Sequence, residues 1–400
     1  RPGRQRTCRG LSTYESRAAM SPLECELAGF WQRILGIESV QPTDSFLDLG
    51  GTPAHGARLI EELEARFQVV LHLPWLLAAP TLREQAAWLQ YRCLDRKMFP
   101  EQPPDMEKWR QYFTRRFEAE PPTGLTKKNR RAVFVLSPPR SGSTLLRVML
   151  AGHPGLFSPP ELELLSCAGM AERYARMGQG WLDFRGLERA LSELTGATAE
   201  QAAAEIEDWV RQDRAVPDVY AELQKWCGHR LLVDKSPAYC LNPTALLRAE
   251  ARFEAPLHVH MARHPLASIR SWTHSNFDQL IWNAPRATGE AIWLIGHENV
   301  LAFLSQVPAE RQFRLRYCDL VAEPEHWMRA LCGFLGVDFH AATLQPYEGS
   351  RMSERVGGLV AGDKNFLRRN SIDASAAALA RRQPEDGPLS EEARRMAERL

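Results

Sequence analysis

The stretch VFVLSPPRSGSTLLRVML, residues 133–150, carries residue types able to hold an anion. A hydrophobic strand enters a turn with one glycine and several small hydroxyl residues, and a helix with apolar Leu145, Leu146, Val148 and Met149 follows. Such a turn aims successive backbone N–H groups at one point and adds the positive end of the helix dipole, which favours a bound phosphate. Arg140 contributes a permanent charge, and Ser141, Ser143 and Thr144 contribute hydroxyl donors around Gly142. The plainer alternative is a strand-to-helix connection rich in cap residues. It is not a Walker A loop, because G-x-x-x-x-G-K-S/T is absent and no magnesium-binding pattern follows Arg140.

The elements around the turn alternate. Short apolar runs AVFVLS, LLVDKS, PLHVHMA and FRLRYCDL are separated by helical patterns, which predicts an α/β fold with a parallel sheet flanked by helices. Before it, residues 22–92 read as a small helical bundle, with apolar residues at three- and four-residue spacing in LECELAGFWQRILG and ARLIEELEARF. Residues 93–129 contain PEQPPD and EPPTG around one amphipathic segment, EKWRQYFTRRF, and read as a linker. The third division, 130–400, holds the anion turn.

With 44% apolar residues in 400, the chain can bury a large core. Its net charge of +1 excludes a global field for nucleic acid, so attraction for anions must be local. The eight cysteines form no C-x-x-C pair, which fits reduced thiols in a cytoplasmic protein. No apolar run approaches the roughly 20 residues of a membrane span. No His/Cys/Asp/Glu set has metal-ligand spacing, so no metal is expected. The sequence begins without Met and stops inside a helical pattern, EEARRMAERL, as a piece of a longer polypeptide would.

SPPRSGSTLL resembles the 5′-phosphosulfate loop of sulfotransferases that use 3′-phosphoadenosine 5′-phosphosulfate (PAPS). In that family a strand-end Arg, a Pro two residues on and a helical Ser eight residues after the Arg bind the 3′-phosphate. VHMARHPLASIRSW offers Arg263, Pro265 and Ser271 at that spacing, and a strand tip and helix start are adjacent in a doubly wound sheet. LLVDKSPAY resembles the segment whose Lys reaches the sulfuryl bridge, which implies that role for Lys235. YCDLVAEP resembles the Tyr-Glu-Asp-Leu segment with Cys318 in place of Glu, and Gly362–Phe366 resembles the nucleotide-covering loop.

The resemblance implies a P-loop-like sulfotransferase fold, PAPS as donor and 3′-phosphoadenosine 5′-phosphate as product. Stabilising the leaving group calls for fixed cations and N–H donors, which Arg140, Lys235 and the loop amides supply without a metal. The acceptor hydroxyl needs a base. In tyrosylprotein sulfotransferases a catalytic Glu follows the matching His-Pro, and Glu161 falls at that place in AGHPGLFSPPELELL. A helix N-terminal carboxylate after Pro159-Pro160 is the competing reading of Glu161. Other members use a His, so His264 and His274 rank after it. Gly178–Arg214 and Trp272–Trp293 are candidate acceptor-lining segments, although their aromatics suit a core equally.

The N-terminal bundle resembles a peptidyl or acyl carrier domain through Trp31, Leu35-Gly36, Asp44, Phe46, Leu49-Gly50-Gly51 and Pro80-Thr81. That family bears phosphopantetheine on a Ser two residues after the second Gly. Pro53 stands there and has no hydroxyl, and Thr52 is one residue out of register. A degenerate carrier kept for docking and an altered carrier both fit. Carrier plus sulfotransferase resembles modular polyketide and nonribosomal peptide synthases, where sulfation of a carrier-bound β-hydroxyacyl chain prepares alkene formation; other synthase domains are the implied partners. A P-loop kinase and a nucleotide-binding scaffold module are the rival readings. The first lacks the Lys-Ser/Thr pair, and the second has no need of Lys235.

Overall fold

The structure is a computed structural model and describes residues 20–67, 80–86, 89, 105–116, 127–177, 185–273, 285–348, 351, 355–356, 359–360, 371–372 and 388–400. The chain forms two compact units, Arg1–Leu94 and Asp95–Leu400.

In the first unit, Ser21 opens the helix Pro22–Leu35 through a reciprocal capping box with Glu24, and Gly36 closes it at φ 69. The Trp31 indole donates to Gln85 (3.0 Å), and its ring meets Phe46 edge-on inside a core with Leu27, Leu59, Leu63 and Leu82. Gly51 has no room for a side chain, since a Cβ would lie 2.4 Å from the Phe46 carbonyl. Pro53 is the first residue of the helix Pro53–Phe67, a position that needs no backbone donor. The Thr52 hydroxyl accepts from the His55 amide (3.2 Å), so it acts as this helix's cap.

The second unit is built on a five-stranded sheet: β1 (Val133–Leu136), β2 (Leu156–Phe157), β3 (Leu231–Asp234), β4 (Leu257–Ala262) and β5 (Gln312–Arg316), in the spatial order β2-β3-β1-β4-β5. Its strand pairs are parallel, with Val133 opposite Val233 on one side and Leu257 on the other. β1 and β4 are buried throughout, which explains the unbroken apolar run of β1; in β4 two histidines, His258 and His260, are buried among the apolar residues. Alternation sorts β1 between two cores: Val133 and Val135 pack with Leu146, Met149 and Leu320, whereas Phe134 and Leu136 pack with Tyr239, Phe253 and Ile292.

Within the stretch read as a linker, Met106–Arg116 is a helix of the second unit. Trp109 is 1% exposed in that unit's core, and Arg110 bridges Glu298 and Glu392. The helices Met170–Met177, Arg185–Thr195 and Ala199–Arg211 belong to an excursion between β2 and β3. Its two ends meet: the Met170 amide donates to Arg214 (3.0 Å), the Val216 amide donates to Ala168 (2.9 Å), and Gly169 bridges Ala215. A Cβ on Gly169 would lie 2.3 Å from Asp213 Oδ1, so a larger residue here would have to displace that carboxylate from the Ala171 amide it accepts from.

Candidate active site

Because the strands are parallel, their C-terminal ends lie on one edge, where open α/β sheets bind ligands. The candidate residues follow that edge in spatial order. Glu161 lies in the segment after β2, Lys235 directly after β3, Arg140 in the turn after β1, Arg263 directly after β4 and Tyr317 directly after β5.

The turn after β1 has two left-handed residues, Arg140 (φ 67) and Gly142 (φ 86), and Gly142 precedes the helix Ser143–Ala151. Left-handed backbone at alternate positions curls a turn so that its N–H groups converge. Gly142 also lies against Tyr317, whose ring a Cβ would approach to 2.2 Å. The Arg263 guanidinium covers the same ring 4.6 Å from its centroid and donates to the Arg140 carbonyl (3.1 Å). Arg140 Nε in turn donates to Ser271 Oγ (2.9 Å), on the helix Pro265–Thr273. Arg140 thus meets Arg263 and Ser271, which are 123 and 131 residues away in sequence. The Trp293 indole fixes the Arg263 carbonyl (3.0 Å). Ser141 Oγ is buried without a hydrogen-bond partner among the described residues, and its hydroxyl suits an anion oxygen.

On the β2–β3 side, the Lys235 ammonium pairs with the Glu161 carboxylate; the Lys235 side chain is 3% exposed and that of Glu161 39%. Glu161 does not start a helix, since the next one begins at Met170, so the helix-terminus reading of Glu161 fails. Its segment is irregular, and neighbouring side chains satisfy its backbone. Arg173 donates to the Leu162 and Glu163 carbonyls, Arg248 to Leu165 and Arg252 to Cys167. The Tyr239 hydroxyl accepts from the Leu164 and Leu165 amides (2.8 and 3.1 Å), and Ser236 Oγ accepts from the Glu163 amide (3.0 Å).

Those hydroxyls end on Asp234. Ser236, Tyr239 and Tyr220 all donate to its carboxylate. Burial raises the Asp234 pKa, and the three donors oppose that rise. Sequence reasoning passed over Asp234, Tyr239, Tyr220 and Tyr317 as site-builders. For Asp234 and Tyr239 the legible sign was polar residues inside the otherwise apolar LLVDKSPAY.

His264 is exposed beside Arg263. His274 and Gly362–Phe366 lie outside the described residues. Among the described residues, no group of three His, Cys, Asp or Glu side chains is placed to hold a metal ion, and no helix is long and apolar enough to cross a membrane.

Two family models match the chain: the sulfotransferase family over residues 132–341 and the phosphopantetheine attachment site over residues 25–89. The sulfotransferase domain from the Synechococcus PCC 7002 olefin synthase is 38% identical, covers 70% of this chain and 98% of its own, and superposes with a TM-score of 0.65. The sulfotransferase domain from the curacin biosynthetic pathway is 40% identical over 68% of this chain and 98% of its own, with a TM-score of 0.64. The first unit is 37% identical over 73 residues to surfactin synthase subunit 2 of Bacillus subtilis (strain 168), of whose length the match spans 2%. With two candidate anion-binding elements joined at one sheet edge and a carrier-type domain ahead of them in sequence, the chain belongs to the sulfotransferase family.

Proposed function

We propose that the second unit transfers a sulfuryl group from PAPS to the β-hydroxyl of an acyl chain tethered to a carrier domain, releasing 3′-phosphoadenosine 5′-phosphate. The observation that carries this reading is the hydrogen-bonded convergence of Arg140, Arg263 and Ser271 at the sheet edge that also bears the pair of buried Lys235 and half-exposed Glu161. Ser141, Gly142, Ser143 and Thr144 supply the turn that receives the 5′-phosphosulfate, and Arg263 with Ser271 receives the 3′-phosphate. Arg140 and Lys235 offset charge on the leaving phosphate oxygen as its bond to sulfur breaks. Glu161 takes the proton from the acceptor hydroxyl as that oxygen bonds to sulfur. The tethered β-hydroxyacyl acceptor is supported by the carrier-type domain in the same chain and by neighbours drawn from an olefin synthase and the curacin pathway.

The test is transfer of label from radioactive PAPS to a panel of carrier-bound β-hydroxyacyl chains, phenols and sugars. Labelling of the carrier-bound chains supports the reading. Labelling of phenols or sugars alone reassigns the acceptor, and no transfer to any of them overturns the activity.

A further inference from the structure

The segment that bears Glu161 carries a second carboxyl, Glu163, with no part in the chemistry above. Glu163 is 2% exposed, and neither carboxyl oxygen has a hydrogen-bond partner among the described residues. Its φ of 49 is sparsely populated for a non-glycine residue, so its surroundings must enforce it. They do so through the Ser236 hydroxyl on its amide and the Arg173 guanidinium on its carbonyl. The charged and titratable groups facing it are Glu161 on its own segment, Asp234 and Lys235 at the end of β3, Arg173 from the helix Met170–Met177, and Tyr239 and Cys240 from the turn Pro237–Leu241. An ionised carboxylate without donors is costly in such a place. With Glu163 uncharged, two carboxylates, Glu161 and Asp234, balance two cations, Lys235 and Arg173.

We propose that Glu163 is a positioning residue: its uncharged carboxyl lies beside the Lys235–Glu161 pair and leaves Lys235 free to exchange Glu161 for the anionic sulfuryl donor. This rests on the sulfuryl-transfer reading. Burial, reinforced by Glu161 and Asp234 and opposed by Arg173 and Lys235, pushes the Glu163 pKa from 4.5 up to about 8. Ionised above that pH, Glu163 is a third negative charge in a poorly screened site. It holds Lys235 in place and repels a polyanionic donor.

Two measurements on the full chain test this. In the first, kcat/KM for PAPS is followed from pH 6 to 10. The wild type loses about tenfold per pH unit above the Glu163 ionisation, and Glu163→Gln lacks that limb, whereas Glu163→Asp keeps one. In the second, melting temperature is followed from pH 5 to 9. An acid whose folded pKa lies above its unfolded value loses stability as pH rises between the two, so the wild type falls behind Glu163→Gln from about pH 4.5 to about 8 and the gap then levels off. Glu163→Met, also uncharged and of similar length, replaces Gln should that variant fold poorly. A pH-independent melting gap overturns the uncharged carboxyl, and an alkaline limb that persists in Gln or Met overturns the positioning role. A wild type that turns over no acceptor at any pH overturns the sulfuryl-transfer reading instead, and the melting curves still judge the charge state of Glu163.

Discussion

Lys235 and Glu161 contact each other directly, and the proposed transfer has two reacting oxygens to serve, a leaving one and an attacking one. Under that proposal Lys235 acts on the first, so Lys235→Ala should lower kcat by about 10²- to 10³-fold, the scale for losing one preorganised donor. Glu161 acts on the second, and Glu161→Gln should slow transfer by about 10²- to 10⁴-fold with nucleotide affinity nearly unchanged, because a base contributes to the transition state alone. Single-turnover rates and nucleotide titration separate the two effects. Normal turnover in Glu161→Gln, with loss in His274→Ala, would transfer the base to His274. Arg140, Arg263 and Ser271 were legible in the sequence because their spacing from strand ends repeats a pattern. Glu163 was not, because an irregular buried segment has no period to betray which side chains turn inward. The buried Arg173, Arg248 and Arg252 were equally illegible, because charged residues in a helical pattern ordinarily belong to the wet face of a helix.

Among the elements, the turn after β1 is set by one glycine that meets two demands. Gly142→Ala must accept left-handed backbone and also displace the Tyr317 ring, on which Arg263 rests. The strain alone costs about 1–3 kcal/mol, and the shifted ring should carry Arg263 out of line. Nucleotide affinity should therefore fall more than stability does, which parallel calorimetry and thermal melts would show. The two anion elements should also act together: 3′-phosphoadenosine 5′-phosphate should raise the melting temperature more than ATP, which has no 3′-phosphate for Arg263 and Ser271. Equal protection by ATP, or protection strictly dependent on magnesium, would favour the kinase reading. Four of the five strands and their parallel sense were readable from short apolar runs between helices, whereas the two-residue β2 is too short to show a pattern and the order of the strands was not read. The helix Met106–Arg116 was read as linker because prolines flank it, yet Trp109 and Phe113 give it a buried face.

At the scale of the whole molecule, the first unit keeps a carrier's frame without its attachment residue. Pro53 begins the second helix and Thr52 caps it, so no hydroxyl stands at the attachment position. Incubation with coenzyme A and a phosphopantetheinyl transferase should leave the intact mass unchanged, and Pro53→Ser is the variant that could restore the increment. The second unit divides its labour across the sheet: the nucleotide-binding candidates follow β1 and β4, whereas Glu161 and the excursion Met170–Arg214 hang from the β2–β3 side. Because Gly169 and Ala215 close that excursion at a single stem, its two ends lie side by side however much chain runs between them. A stem of this kind is a natural crossover point for recombination. A lineage could exchange everything beyond it, and with it the candidate acceptor-lining segment, while its descendants inherit the residues after β1 and β4 unaltered.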